Sequence, residues 1–176
     1  MKTSDENQNL DHLVSKLKTE DAHYATIIKA VQIIYWILLP FLVLMTIWDY
    51  MEAKDINELI GGICIVAAFL IIVLFFRKYY REYNMVDYSL PTVQMLKKAI
   101  WRYQLFQKRT LWVYFGLLVM DVGLIFDWQE DHSIWVTQTI FLGALALGFV
   151  IGFIWWFKKF KPLRDEARQL LREIES

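Results

Sequence analysis

Asp121 is the residue whose chemistry stands out most. It lies inside the apolar run Leu111 to Trp128, and a carboxylate at a bilayer centre costs about 2.5–3.5 kcal/mol on insertion scales. It sits seven residues before Trp128, so about 10 Å from the outer end of that run at helical rise. Neighbouring apolar runs bring Gln138, Thr139, Cys64 and Thr46 to similar depth. Asp121, Gln138 and Thr139 are therefore the intramembrane polar candidates. Three chemistries are open to them: a proton or cation site, interhelical hydrogen bonding with a protonated Asp121 as donor, or a boundary carboxylate that snorkels outward. His12, His23 and His132 lack ligand spacing, and Cys64 is the single cysteine, which excludes an intrachain disulfide and a cysteine metal cluster. Asp127, Glu130, Asp131 and His132 form the one acid and histidine cluster, on a short connection that reads as a solvated turn. No cofactor and no enzymatic activity are expected from such a set.

The elements that must position these groups are apolar. The chain is 57% hydrophobic, well above a soluble domain. About 20 apolar residues in a helix cross the ~30 Å hydrocarbon layer. Four runs qualify: Ile27 to Trp48, Ile56 to Phe76, Leu111 to Trp128 and Ile134 to Phe157. The first carries Lys29 and Gln32 near its start and Pro40 inside, where a kink is expected. Glu58 sits at the edge of the second. The expected fold is all-α, a polytopic membrane protein with four transmembrane helices as two hairpins plus amphipathic cytoplasmic helices. Its segments are 1–26, 27–76 (hairpin 1), 77–110 (a basic linker containing an amphipathic helix), 111–157 (hairpin 2) and 158–176.

Charge placement sets the orientation. Eighteen of the 19 Lys and Arg residues fall on one side of a four-crossing scheme, Lys54 being the exception. The positive-inside rule makes that side cytoplasmic, so the chain is expected in the bacterial inner membrane with both termini cytoplasmic. The start lacks the basic-then-apolar pattern of a secretory signal, and the N-terminus is expected to be retained. Aromatics mark the boundaries, with Trp48, Tyr50, Trp128 and Trp135 outside and Tyr79, Tyr80, Trp112, Trp155 and Trp156 inside.

The polar segments are amphipathic. Thr3 and Glu6 fit a capping box, followed by Leu10, Leu13, Val14 and Leu17 on one face. Ser89 and Pro91 start a second helix with Val93, Leu96, Ile100 and Tyr103 in one stripe, Met95, Ala99 and Phe106 beside it, and basic flanks. Lys97, Lys98, Trp101 and Arg102 are its candidates for a membrane surface or a protein partner. The alternative is packing against the N-terminal segment. Nucleic acid is not an expected ligand. The tail after Pro162 places Leu163, Ala167, Leu170, Leu171 and Ile174 on one face, and its mixed charges favour a protein contact. Ala144, Gly148 and Gly152, spaced by four, form a helix-packing stripe within the monomer or in a homo-oligomer, and Gly61-Gly62 are similar. Tyr35, Trp36 and Tyr114 read as packing aromatics.

The halves also align at an offset near 79: Leu17, Lys18, Tyr24, Lys29 and Tyr35 match Leu96, Lys97, Tyr103, Lys108 and Tyr114. That is the pattern of a tandem repeat, and equally what any two hairpins require. Asp87-Tyr88-Ser89-Leu90-Pro91 leading to Arg102-Tyr103, and Lys161-Pro162-Leu163-Arg164-Asp165, are similar to motifs in small four-span membrane proteins of unknown function from Bacteroidota. That resemblance implies an inner-membrane regulator or partner protein and transfers no catalytic residue. The expected function is a non-enzymatic interaction or regulatory partner acting from the cytoplasmic side of the lipid bilayer. The alternative is a small oligomeric transporter or channel using Asp121.

Overall fold

The computed structural model describes residues 2–127 and 134–175, with side chains at 10–52, 54–108, 110–126 and 134–175. The expected capping box at Thr3 and Glu6, the outer turn from Trp128 to Ser133 and the side chain of Asp127 lie outside these. Every regular element among the described residues is helical. Helix α1 (Lys2–Ala53) carries the polar N-terminal segment and the first apolar run without a break, and it passes through Pro40. No glycine or proline interrupts the sequence before Pro40, so nothing separates the two stretches. The chain then turns tightly. Lys54 adopts φ 55° and its N–H donates to the Tyr50 carbonyl at 2.9 Å, while Asp55 Oδ1 accepts the Asn57 N–H and starts the next helix.

Helix α2 (Ile56–Asn84) continues past Phe76, so residues 77–84 are helical rather than linker. Arg77 to Arg81 contain no breaker, and the turn comes only at residues 85–91. Helix α3 (Thr92–Arg102) starts after Pro91, as its sequence predicts. Helix α4 (Leu111–Asp127) has 17 residues, about 25 Å and the lower edge of spanning length. Helix α5 (Ile134–Trp155) has 22. Three helical stretches are long and apolar enough to cross a membrane, within α1, in α2, and from α5 onward.

The tail is not separate from the fourth run. A π-helical segment, Trp156–Phe160, joins α5 directly to α6 (Lys161–Glu175). The Lys161 N–H donates to the Trp156 carbonyl, five residues back. Pro162 follows at once and has no N–H to give, so the widened turn falls where an α-helical ladder would lose a donor.

The chain forms two compact units, one from residues 1–27, 81–107 and 150–176 and the other from 28–80 and 108–149. In the second unit α2 is central, with 28% of its apolar window buried. On one side Tyr35 of α1 packs against Phe69 and Phe76, and Thr46 lies against Gly62. On the other, Gly116 and Gly123 of α4 meet Ala68 and Ile72, then Gly61 and Ile65, so α2 and α4 run antiparallel. Helix α5 returns along α4, with Tyr114 stacked on Phe149.

Ala144 is exposed, and a Cβ at Gly148 or Gly152 would meet nothing within 4 Å among the described residues. The close contacts fall instead at Gly61, Gly62, Gly116 and Gly123, where backbones approach because no side chain intervenes. Trp36 is exposed.

Candidate functional site

The three polar segments build the first unit around a buried carboxylate. On α1, Leu13, Leu17, Asp21 and Ala25 recur every four residues, one helical face. All four are buried, Asp21 at 2% exposure. Leu96 and Ala99 from α3, with Leu163 and Ala167 from α6, complete the apolar core. A charge in such a stripe requires partners of its own. Tyr103 donates its hydroxyl to Asp21 Oδ1 and Tyr88 donates to Oδ2, both at 2.5 Å. Arg102 Nη2 lies 3.1 Å from Oδ2. That contact pairs the charges without hydrogen-bond alignment, and Arg102 Nε has no hydrogen-bond acceptor among the described residues.

Arg102 corrects the sequence reading. It is buried, at 8% exposure, and is turned toward Asp21 rather than presented outward with Lys97 and Lys98. The buried face of α3 is Met95, Leu96, Ala99 and Arg102, followed by buried Tyr103: Leu96 and Tyr103 belong to the expected stripe and Met95 and Ala99 lie beside it, while Ile100 is half-buried and Trp101 and Phe106 are exposed. Lys97 and Lys98 stay exposed, and Lys97 pairs with Glu175 at 2.8 Å.

The end of α3 is tied down by side chains. Gln107 Nε2 donates to the carbonyls of Arg102, Trp101 and Gln104, at 2.7, 3.0 and 3.3 Å. Trp156 Nε1 donates to the Tyr103 carbonyl at 3.0 Å, and Tyr83 donates its hydroxyl to that of Arg102 at 3.4 Å. These bonds serve carbonyls that a helix C-terminus leaves without partners. The π segment also delivers Phe160, which stacks on Tyr103 and stands edge-on to Tyr24. Tyr24 and Tyr103 are matched positions of the expected repeat. The matched stretches differ in build, since α1 continues into its apolar run whereas α3 stops and α4 starts afresh at Leu111.

Ion pairs Lys16–Glu166 and Lys159–Glu20 rim the unit at 3.0 and 2.8 Å. The first is exposed and the second partly so, and solvent-accessible pairs of this kind contribute little each. Burial pushes the Tyr88 and Tyr103 hydroxyls well above the ordinary tyrosine range, and the Asp21 carboxylate adds to both shifts. The Ser89 hydroxyl and N–H both donate to Asp87 Oδ1 and hold that carboxyl below its usual value.

The two short motifs of the sequence fall inside this unit. Asp87 and Ser89 form the turn, Tyr88 reaches Asp21, and Pro91 starts α3. Leu163 enters the core, while Arg164 lies over Trp156 and pairs with Asp165. No family model, curated protein or solved structure matches the chain. The site is therefore read from its own geometry. Beside the clamp a groove of about 280 Å³ opens between Met85, Val86, Met95 and Trp101, with Asp87 and Lys98 among its polar lining. Met85 and Trp101 are exposed at 71% and 51%.

In the second unit, Asp121 is half-buried and its Oδ1 has no hydrogen-bond partner among the described residues. Gln138 Nε2 and Thr137 Oγ1 are likewise buried and unpartnered. Thr139 is exposed and its hydroxyl donates to the Trp135 carbonyl at 2.6 Å. Thr137, two residues away on the opposite face, takes the inward place expected of Thr139. A small hollow lined by Leu124, Ile125, Ile134, Thr137 and Gln138 lies there.

The sequence reading missed Asp21. Its signal was present: Asp21 continues the Leu13–Leu17 register by one further step of four, and Arg102 sits beside Tyr103 in the α3 stripe.

Proposed function

We propose that the chain crosses a bacterial inner membrane four times, with both termini cytoplasmic, and acts as a non-enzymatic interaction or regulatory protein through the unit built around Asp21. The observation that carries this reading is the groove walled by Met85, Met95 and Trp101 beside a rigid polar clamp. Methionine walls adapt to varied apolar side chains, and tryptophan is a frequent anchor of protein contacts. Asp87 and Lys98 supply charge of both signs, which suits a polypeptide better than a lipid surface. At 17 residues α4 is long enough to cross with little tilt, and the cation asymmetry supports the orientation.

A photo-crosslinking residue at Trp101, compared in living cells with one at exposed Lys18, tests the groove. A discrete protein adduct from position 101 and none from position 18 is expected. No adduct from 101, or the same adducts from both, sinks the reading. In a Cys64→Ser background, single cysteines at Lys18, Lys97 and Arg168 are expected to resist a membrane-impermeant thiol reagent in intact cells, and one at Lys54 to react.

The unpartnered polar atoms of Asp121, Thr137 and Gln138 favour a second reading, a small oligomeric transporter or channel. Proton or cation flux through liposomes that is equal for wild type and Asp121→Asn removes it.

A further inference from the structure

We propose that a groove on the second unit binds an anionic phospholipid, a reading that rests on the membrane assignment above. Ile71, Leu74, Phe75, Lys78 and Tyr79 follow one stripe of α2, and Trp112 from the first turn of α4 closes it, enclosing about 350 Å³. Its position follows from the residues of α4. Residues 112, 116 and 123 share a helical face, and at Gly116 and Gly123 the helices come so close that a Cβ would lie 3.2 and 2.9 Å from its nearest α2 neighbour. At Trp112 an indole stands on that face in place of a glycine and lines the groove.

The groove is polarised along its length. Ile71, Leu74 and Phe75 make an apolar wall, and Lys78 ends it, about 10 Å from Ile71 at helical rise. Lys78 is exposed and forms no ion pair among the described residues. No carboxylate lines the groove among the described residues, and Arg77 lies next to Lys78 in the chain. An acyl chain fits the wall, a phosphate oxygen meets Lys78 Nζ, and the Trp112 ring sits at the level where indoles favour the interface. With Lys78 and no acid among the described lining residues, a headgroup of net negative charge is preferred over a zwitterionic one, whose ammonium would face Lys78.

Native mass spectrometry of the full chain released from nanodiscs of equal phosphatidylglycerol and phosphatidylcholine tests this. Wild type is expected to retain phosphatidylglycerol about fivefold over phosphatidylcholine, one lysine's worth of selectivity. Lys78→Gln falls to parity and Lys78→Arg keeps the preference. Leu74→Trp, which fills the apolar wall and leaves the cation, loses retained lipid. Equal retention of both lipids by wild type, an unchanged preference in Lys78→Gln, or displacement by excess glycerophosphate, which has no acyl chains, overturns the proposal. Carbonate washing of membranes separates the two readings. A protein that stays in the membrane without lipid preference defeats the groove alone, and one that washes out defeats both.

Discussion

Asp21→Ala is expected to destabilise the unit formed by 1–27, 81–107 and 150–176 by about 3–5 kcal/mol. The substitution removes the shared acceptor of two tyrosine hydroxyls and the counter-charge of a buried guanidinium. Each orphaned hydroxyl adds its own desolvation cost. Arg102→Leu should cost less, because Asp21 keeps both tyrosine donors. The double variant Asp21→Leu, Arg102→Leu should recover part of the loss, since it leaves no isolated charge inside. The order of the two single variants distinguishes a carboxylate-centred clamp from a simple ion pair. Limited proteolysis of α6 and thermal unfolding followed by tryptophan fluorescence in detergent would report both. Wild-type stability in Asp21→Ala would refute the clamp. The pH dependence has a defined sign. Tyr88 and Tyr103 have folded values raised above the ordinary one of about 10. The clamp is fully stabilising below that value, and its contribution is lost progressively from there up to the raised folded values. Unfolding midpoints measured from pH 7 to 9 should therefore show no loss attributable to these hydroxyls.

What could be read from the chain beforehand was local. The apolar runs are marked by composition over 18 to 24 residues, and three of them lie in helical stretches of spanning length. Pro91 fixes the start of α3 through its own backbone restriction. Leu13 and Leu17 share a face at any register of a continuous helix. What could not be read was which of two adjacent stripes faces inward when both are partly apolar. On α3 that choice rests on Asp21, far away in sequence, which draws in Arg102 and Tyr103 and leaves Trp101 and Phe106 outside. The same limit applies at Thr137 and Thr139, two residues apart on opposite faces of α5, where only the packed partner decides. Continuity through Pro162 was hidden for another reason. Proline reads as a boundary, and only a π turn, set by hydrogen bonding rather than by residue type, carries the helix across it.

Helix contacts within the second unit allow an experiment in which two glycines with similar sequence surroundings give opposite results. Gly123→Val is expected to lower stability by about 1–3 kcal/mol or more, the range for overpacking a close contact. Its new Cβ would lie 2.9 Å from the Gly61 carbonyl oxygen, 2.9 Å from Ile65 Cγ1 and 3.1 Å from Cys64 Cβ. A carbonyl of the facing helix cannot rotate away, so α2 and α4 must separate and lose the packing that drives association in lipid. Gly62→Ala is intermediate. Its Cβ would fall 2.4 Å from Thr46 Cγ2, but that side chain can turn aside at the expense of its 3.0 Å hydrogen bond to the Leu42 carbonyl. Gly148→Val meets nothing within 4 Å among the described residues and should leave monomer stability unchanged. Unfolding titrations in mixed micelles measure all three. The expected order, Gly123→Val, then Gly62→Ala, then Gly148→Val near zero, follows from what each Cβ meets. A large loss at Gly148 and none at Gly123 would mean that the small residues of α5 pack in a second copy and that the α2–α4 seam is not the closest contact.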